Sequence, residues 1–456
     1  MPSNEALYTC EITIQRAVNV PVGDIHNISS DPYVVATLCV NPNAKPPDTD
    51  SSARTIRYRT HTVRRTLTPE FNCRWLVSGV PASGFTLTLS LHDEDPLSHD
   101  DTLGKAWVQF PGDSLSLTEG WDSGSRECKV HKRHGGVRTR ITTYAMKLAT
   151  RGRVEHRTRI WVSVKVLGKA HDQHDHRVYT LGPHTFVQHF SPLAGYLVGT
   201  AKTPAAQSSS EHMSSSTFVA NRLQLAGPVP ASLRHRYVGF RPFVHAMFMT
   251  RGVRGILLHR ALHKQHTAIY RWDKNTVWGV VEDGMDGCSD STKVAGEALA
   301  RQFLHMTAHG TRGRIFTYVI TLDGQWRFTE TGKEFAIDLL SKHTMHADVE
   351  REIAHDAEGP EGTEETEGVW YDDENAEPSS NPADYELVID NDSGTYRPRT
   401  DLLPTLQQWL SSSENLGALA RVTAVDGFDE RLKAWKKRRA EVKTNVKKRR
   451  AMVGMK

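Results

Sequence analysis

The stretch LHDEDPLSHDD, residues 91–101, places five carboxylates and two histidines in eleven positions, at the end of the alternating apolar run FTLTLSL. Carboxylates this close repel one another and gain little stabilisation from each other in water. One interpretation is an acidic turn exposed to solvent, as most charge runs are. The other is a loop that binds Ca²⁺, because this hard cation takes about 6 to 8 oxygen ligands and needs several carboxylates at one point.

The spacing of this stretch excludes one kind of calcium loop. Counted from Asp93, an EF-hand requires glycine at the sixth position and glutamate at the twelfth, where this chain has Ser98 and Gly104. An EF-hand also lies between helices, whereas the alternation before Asp93 predicts a strand. The acidic stretch is therefore predicted to be a loop that follows a β-strand.

Four motifs, in order along the chain, resemble those of C2 domains. They are Asp24 followed by SDPYV, then TLTPEFN, then the spacing of Asp93, Asp95 and Asp101, then Leu103 with Gly104. The departure is that Asp24 and Asp31 lie seven residues apart, where the family usually has six. The resemblance implies a calcium site shared by two loops, with the ligands Asp24, Asp31, Asp93, Asp95 and Asp101.

The resemblance also implies reversible binding to anionic phospholipid. Bound Ca²⁺ reverses the negative charge of the loops and can complete its coordination with lipid phosphate oxygens. Alternation in RTIRYRTHTVRR places Arg57, Arg59 and His61 on one face of a strand, where each cation near an anionic surface adds about 1 kcal/mol. These three residues are predicted to bind lipid, and an ordinary solvated face is an equal alternative.

Length and hydrophobic periodicity predict several domains. The chain has 456 residues, 38% of them hydrophobic, which is enough for two or three cores. Period-two alternation over residues 5–168 predicts an all-β antiparallel sandwich, with eight strands as in C2 domains. Residues 169–177, KAHDQHDHR, are predicted to be a polar linker. Residues 178–428 mix two kinds of pattern and predict an α+β domain.

Within the α+β domain, apolar residues at helical spacing occur over 182–199 and 293–308, and hairpin-like pairs occur over 267–281 and 314–330. A strand, a helix and a second strand are predicted over 385–390, 401–412 and 420–426. Between these parts, residues 356–377 contain ten acidic and no basic side chains. We expect a disordered acidic insertion over 356–380.

The end of the sequence, residues 429–456, has twelve Lys or Arg against three acidic residues. It is predicted to be a basic tail, partly helical, with Leu432 and Trp435 on one side. A solvated extension, a helix at a membrane surface, and a nuclear-localisation or nucleic-acid patch all fit this composition. The nucleus is therefore a second predicted location.

ELVIDNDSGTYRP, residues 386–398, predicts a buried strand that ends in a polar turn before a helix. The favoured interpretation is structural, with Asp390 or Asn391 closing the turn. The alternative is phosphoryl chemistry at Asp390 and Asp392, because an Asp-x-Asp after a strand resembles the nucleophile loop of haloacid-dehalogenase phosphatases. Ser393 interrupts that motif, and the strand-helix alternation that such enzymes need is missing after it.

Two histidine groups have spacing that could hold a metal. His305 and His309 lie four apart on one helical face, and the linker contains His171, His174 and His176. Neither group has cysteines at zinc spacing, and the helical pair lacks the glutamate of a metalloprotease motif. Structural or surface histidines are the favoured interpretation.

Other sequence features limit the class of protein. The chain contains no GxxxxGK[ST], GxSxG or HExxH, which removes the commonest nucleotide, serine-hydrolase and zinc-protease signatures. The net charge of +4 is small, so nucleic acid is not a favoured partner. Five scattered cysteines predict free thiols in a reducing compartment. With neither a signal-peptide pattern nor an apolar run long enough to span a bilayer, we expect a cytoplasmic protein.

Together these features predict a calcium-dependent peripheral membrane protein that binds anionic phospholipid, acting as an adaptor or in lipid handling rather than as an enzyme. One alternative is an enzyme that a C2 domain targets to membranes, with phosphoryl-transfer or hydrolase activity around Asp390 and Asp392. A second alternative is a calcium-independent C2 domain that binds other proteins.

Overall fold

The computed structural model describes residues 5–23, 29–40, 55–95, 100–112, 116–131, 157–172, 177–191, 218–233, 276–281, 291–309, 315–330, 343–348, 379–391 and 398–430, with residues 432 and 434. These residues form a two-layer β-sandwich followed by an eight-stranded sheet with helices on one face.

The sandwich is antiparallel throughout its described strands. One layer has the order β3-β2-β5-β6, and the other has the order β7-β8-β1-β4-β9. The strands are β1 (Leu7–Val18), β2 (Pro32–Val40), β3 (Thr55–Arg59), β4 (Glu70–Pro81), β5 (Phe85–Asp93), β6 (Asp101–Phe110), β7 (Arg126–Lys129), β8 (Arg159–Lys169) and β9 (Tyr179–Gly182).

Alternate side chains of these strands point inward and fill the space between the two layers. In β1, Cys10, Ile12 and Ile14 are fully buried, and the residues between them face outward. Burying each such aliphatic side chain contributes about 1.5–3 kcal/mol. Across the core, the ring of Trp75 in β4 stacks on Tyr58 in β3 with centroids 5.6 Å apart. The period-two pattern therefore produces the predicted sandwich because its apolar half is buried.

Residues 177–182 return the chain to the sandwich after the predicted linker. β9 pairs with β4, and Val178 is buried in the sandwich core. The indole N–H of Trp75 donates to the hydroxyl of Thr180 over 3.2 Å. The predicted count of eight strands omitted this ninth strand, which leads directly into the second sheet.

The second sheet has the order β12-β10-β11-β14-β13-β15-β16-β17. Its strands are β10 (Thr185–Ser191), β11 (Phe218–Gln224), β12 (Thr276–Val280), β13 (Ile315–Ile320), β14 (Gln325–Glu330), β15 (His343–Asp348), β16 (Glu386–Asp390) and β17 (Arg421–Val425). The two helices are α1 (Ser291–Met306) and α2 (Leu403–Leu410). Only β16 and β17 are parallel among the described pairs, since α2 lies between them in sequence.

Both helices pack on the same face of this sheet. On α1, the ring of Phe303 stacks on Trp326 of β14 with centroids 5.1 Å apart, and both side chains are fully buried. On α2, Leu406 and Leu410 are buried in the same cluster. This arrangement is the α+β class that the mixed periodicity predicts.

Several local predictions can be compared with these elements. The helix over 293–308, the hairpin over 314–330 and the strand-helix-strand order after residue 385 are confirmed. The helical prediction over 182–199 is wrong for Thr185–Ser191, which forms β10. This segment pairs with β11 on one side and β12 on the other, and two backbone ladders override its helical spacing.

Two predicted segments lie mostly or wholly outside the described residues. They are residues 356–378 of the acidic insertion and residues 435–456 of the basic tail. Leu432, at the start of the tail, packs against Val388 and Val425 on the sheet face opposite the helices. The four cysteines that the structure describes, Cys10, Cys39, Cys73 and Cys128, are free thiols, as predicted for them.

Candidate functional site at the acidic end of the sandwich

Strand register brings separate acidic residues to one end of the sandwich. Pro32 at the start of β2 pairs with Asp93 at the end of β5, and Asp93 pairs with Asp101 at the start of β6. The carboxylates of Asp31, Asp93, Glu94, Asp95, Asp100 and Asp101 therefore belong to the same end, which we call the acidic tip. Asp24, the remaining predicted ligand, lies outside the described residues.

Asp93 is the innermost member of the acidic tip, with an exposed fraction of 2%. Its Oδ1 atom accepts a hydrogen bond from the backbone N–H of Asp31 over 2.6 Å. Its Oδ2 atom lies where a side chain at Gly23 would be, 1.5 Å from an ideal Cβ position. Only glycine at residue 23 therefore allows this close approach of the first loop.

The start of the first loop is held by Ser30. Its hydroxyl accepts from the N–H of Gly23 over 2.7 Å and donates to the carbonyl of Pro21 over 2.6 Å. Ser30 is fully buried, so these bonds are shielded from water. The serine of the SDPYV motif thus connects its own backbone, after the first loop, to the backbone that precedes the loop.

Asp31 is bound by two consecutive residues of the turn after β3. Its Oδ2 accepts from Nη1 of Arg64 over 2.8 Å, and its Oδ1 accepts from the backbone N–H of Arg65 over 2.7 Å. The hydrogen bond to Asp31 raises the pKa of Arg64 above its ordinary value. Asp31 is therefore paired with a cation from within the same chain.

Glu94 joins the same group of charges. Nη2 of Arg59 lies 3.1 Å from its Oε1 and is hydrogen-bonded to it. Nη2 of Arg64 lies 2.8 Å from its Oε2, an ion pair without hydrogen-bond geometry. Arg64 consequently bridges Glu94 and Asp31, one carboxylate from each loop. Sequence reasoning assigned no role to either Arg64 or Glu94.

Asp100 is a further functional candidate that spacing did not single out. Its carboxylate accepts from the hydroxyl of Tyr33 over 2.7 Å and from the N–H of Asp95 over 3.1 Å. Burial raises the pKa of Asp100, and these two hydrogen bonds act in the opposite direction. The adjacent pair Asp100–Asp101 was the available signal, but the family spacing selected Asp101 alone.

The three predicted lipid-binding residues differ in their exposure to solvent. The alternate residues of β3 face inward, which leaves Arg57, Arg59 and His61 on the opposite face. Arg57 and His61 are exposed, whereas Arg59 is partly buried. Nδ1 of His61 lies 3.3 Å from the thiol of Cys73, and the partial burial of the ring on this side lowers the pKa of His61.

Arg59 is enclosed more than a free basic patch would require. Its guanidinium carbon lies 3.8 Å from the ring centroid of Tyr33 and 5.2 Å from that of Trp278, which belongs to β12 of the second sheet. Together with Glu94, these rings leave its side chain 20% exposed. The structure therefore brings Arg59 to the acidic tip, whereas Arg57 stays exposed.

The donor set of the acidic tip suits Ca²⁺ by its chemistry, since every member is a hard carboxylate oxygen. In the part of the chain that the structure describes, however, no group of three or more His, Cys, Asp or Glu side chains is arranged to hold a metal ion. The oxygens of Asp31 and Asp93 accept hydrogen bonds from within the protein. A metal bound there would have to share or replace some of these bonds.

Of the polar residues at the end of β16, the structure describes Asp390 and Asn391. Asp390 ends β16 and is fully buried. The side chain of Asn391 donates to the carbonyl of Pro398 over 2.9 Å and accepts from the N–H of Gly427 over 2.8 Å. Asn391 thus closes the turn, as the structural interpretation predicted, while Asp392 lies outside the described residues.

The histidine groups are also only partly described. Nδ1 of His309 lies 3.0 Å from the hydroxyl of Tyr385, and burial lowers the pKa of His309. His305 lies on α1, and His171 is exposed after β8. His174 and His176 lie outside the described residues.

Comparison with known families identifies the N-terminal domain. Residues 8–123 match the family model described as C2 domain. The antiparallel sandwich is therefore a C2 domain, a class of membrane- and lipid-binding module, and the C-terminal region is not assigned to a family.

Solved structures were also compared with the chain. A C2 domain of plant extended synaptotagmin 1 is 14% identical, with a TM-score of 0.25, and the match covers 36% of this chain and 96% of that one. Human GIVD cytosolic phospholipase A2 is 17% identical, with a TM-score of 0.23, over 41% of this chain and 22% of that one. A C2 domain protein from Ramazzottius varieornatus is 11% identical, with a TM-score of 0.24, over 36% of this chain and 90% of that one.

The search of curated proteins found no match. Among the helices that the structure describes, none has both the length and the apolar character needed to cross a membrane. The comparisons give no support to the predicted alternative of a nuclear location.

Proposed function

We propose that residues 5–168 bind Ca²⁺ through Asp24, Asp31, Asp93, Asp95 and Asp101 and attach the protein reversibly to anionic phospholipid from the cytoplasm. The observation that carries this proposal is the meeting of Asp31, Asp93 and Asp101 at one end of a C2 sandwich. Carboxylates from two loops repel lipid phosphate until a cation neutralises them. Calcium would supply that neutralisation and a point of contact for the headgroup.

Co-sedimentation with vesicles tests this proposal. Vesicles of phosphatidylcholine with phosphatidylserine should retain the full chain in calcium and release it in chelator, because attraction depends on the charge of the tip. Vesicles of phosphatidylcholine alone should retain much less protein. Equal retention in calcium and chelator would contradict calcium dependence and favour the calcium-independent alternative.

A double variant, Asp93→Asn with Asp95→Asn, isolates the contribution of the tip. Asparagine keeps an acceptor for the N–H of Asp31 but removes two negative charges, so the fold should persist while the calcium response is lost. Glu119→Gln with Asp122→Asn is the matched control, since it removes two carboxylates in the turn after β6. Retained calcium response in the tip variant would contradict the ligand assignment.

For the whole chain we infer an adaptor or lipid-handling role rather than catalysis. This inference is supported by the burial of Asp390 and by the turn-closing bonds of Asn391. A phosphatase assay of the full chain with magnesium is the direct test. Turnover that Asp390→Asn abolishes would favour the enzyme alternative instead.

The basic tail is proposed as a second membrane signal. Two linked weak sites bind more tightly than either alone, and attraction from Lys and Arg is screened by salt. Truncation after residue 434 should therefore weaken binding to anionic vesicles at low salt and leave the calcium midpoint nearly unchanged. Binding that truncation leaves unchanged at low salt would contradict this role.

A further inference from the structure

Arg64 occupies the position of a cation within the acidic tip. Its Nη1 atom lies 2.8 Å from Asp31, and its Nη2 atom lies 2.8 Å from Glu94. Asp31 precedes β2 and Glu94 follows β5, so one guanidinium joins the two acidic segments that would otherwise repel each other. The backbone N–H of Arg65 donates to the second oxygen of Asp31, so each of its oxygens accepts a hydrogen bond from this turn.

The turn that presents Arg64 is shaped for this contact. Arg65 has a φ of 54°, in the left-handed region that non-glycine residues rarely adopt. In this conformation a side chain and the next backbone N–H both reach the same carboxylate. The turn itself is anchored, because Val63 and Thr66 donate backbone bonds to Pro32 and Ser30.

We propose that Arg64 is an internal counter-cation that competes with Ca²⁺ for Asp31 and thereby sets the calcium affinity of this C2 domain. The inference rests on the proposed calcium site. Ca²⁺ bound to Oδ2 of Asp31 would stand beside the guanidinium of Arg64, and the two cations would repel each other, so binding of either one disfavours the other.

The exposure of the three side chains makes this exchange feasible. The side chain of Arg64 is 55% exposed, whereas those of Asp31 and Glu94 are 15% and 20% exposed. Arg64 can therefore swing into water at small cost, because its guanidinium is already largely solvated. The carboxylates keep their positions at the tip and become available to the metal.

Competition predicts two linked effects of removing Arg64. Without calcium the tip carboxylates lose their partner, so the metal-free fold becomes less stable. With calcium the cost of displacing Arg64 is absent, so calcium binds more tightly by the same free energy. A merely structural Arg64 would lower stability equally with and without calcium.

The experiment compares full-length wild type with Arg64→Gln by calorimetric titration of CaCl₂ and by thermal melting in calcium and in chelator. We expect about tenfold tighter calcium binding in the variant, equivalent to about 1.4 kcal/mol. We also expect a lower melting temperature in chelator and a larger rise when calcium is added.

Arg74→Gln is the matched control. Arg74 also forms an exposed ion pair with a partly buried carboxylate, Glu11, on the sheet that does not contribute to the tip. The Arg74→Gln substitution removes the same charge as Arg64→Gln but should leave the calcium affinity unchanged. Arg64→Lys is a second test, because a lysine keeps the charge without spanning both carboxylates, and it should give an intermediate affinity.

The outcomes separate this inference from the proposed function. If wild type binds calcium and Arg64→Gln binds it equally or more weakly, competition is overturned and the calcium site stands. If wild type does not bind calcium but Arg64→Gln does, competition is supported and calcium dependence of the natural protein is overturned. If neither binds calcium, both fail. If Arg64→Gln and Arg74→Gln increase the calcium affinity equally, the increase comes from the loss of one positive charge anywhere on the domain. That result would also overturn competition.

Discussion

Protonation of His92 is opposed by its surroundings next to the acidic tip. Its ring stacks on Tyr33 with centroids 5.2 Å apart. Burial, together with the charges of Arg59 and Lys105, lowers the pKa of His92 from 6.5 to about 4. Between these two pH values the unfolded chain takes up a proton that the folded protein does not, so folding stability falls as the pH falls through this window.

His92→Phe keeps the ring stack and removes the titration. We expect the loss of stability between pH 6.5 and about 4 to become smaller, by on the order of 1–3 kcal/mol, because one pKa unit corresponds to about 1.4 kcal/mol. Urea unfolding at several pH values measures this slope. His171→Phe, at an exposed position, is the control. If the free energy of unfolding of His92→Phe depends on pH as steeply as that of wild type, the environment of His92 does not oppose its protonation.

The contact between β4 and the chain leading into β9 depends on Gly79. This residue has a φ of 76°, and a Cβ there would lie 2.0 Å from the carbonyl oxygen of Arg177. Gly79→Ala should therefore destabilise the protein by about 3 kcal/mol or more, since it adds a collision with backbone to an unfavourable conformation.

Gly120→Ala is the matched control for this element. Gly120 has the same φ of 76°, but a Cβ there would meet nothing within 4 Å. Gly120→Ala should lower the free energy of unfolding only by the cost of a positive φ, about 1–2 kcal/mol. Chemical denaturation of both variants measures the difference, and equal losses would show that the chain before β9 moves aside without cost.

The second sheet covers part of the basic strand of the C2 domain. Trp278 of β12 lies over Arg59, whose other side stacks on Tyr33. Trp278→Ala should uncover Arg59 and strengthen binding to anionic vesicles at low salt about fivefold, because a cation near such a surface adds about 1 kcal/mol. Vesicle titration with the full chain in calcium measures this gain.

Two further variants test the role of Arg59 in that gain. Val277→Ala changes the exposed neighbour on the opposite face of β12 and should have no effect. Adding Arg59→Gln to Trp278→Ala should remove the gain, since the uncovered charge is then missing. A gain that persists in the double variant would assign it to another part of the second sheet.

Much of the C2 domain could be read from local sequence. Period-two alternation encodes a strand because successive side chains face opposite sides, and burial of Ile12 and Ile14 then selects the inward face. The acidic residues adjoin strand ends in the sequence, so register alone brings Asp31 and Asp93 to one end. The ligand role of these aspartates remains a prediction of spacing and family resemblance.

Contacts between distant residues required the tertiary structure. Arg64 and Asp31 are separated by 33 positions, and nothing in either local pattern indicates which charge pairs with which. Local sequence was also insufficient for Thr185–Ser191. Its apolar residues have helical spacing, but it forms a strand because it pairs with β11 and β12. Local patterns determine which faces are apolar and where charge gathers, because period and charge act between near neighbours. Packing of remote segments decides the partners, since only the folded chain brings Arg59, Arg64 and Glu94 within reach of one another.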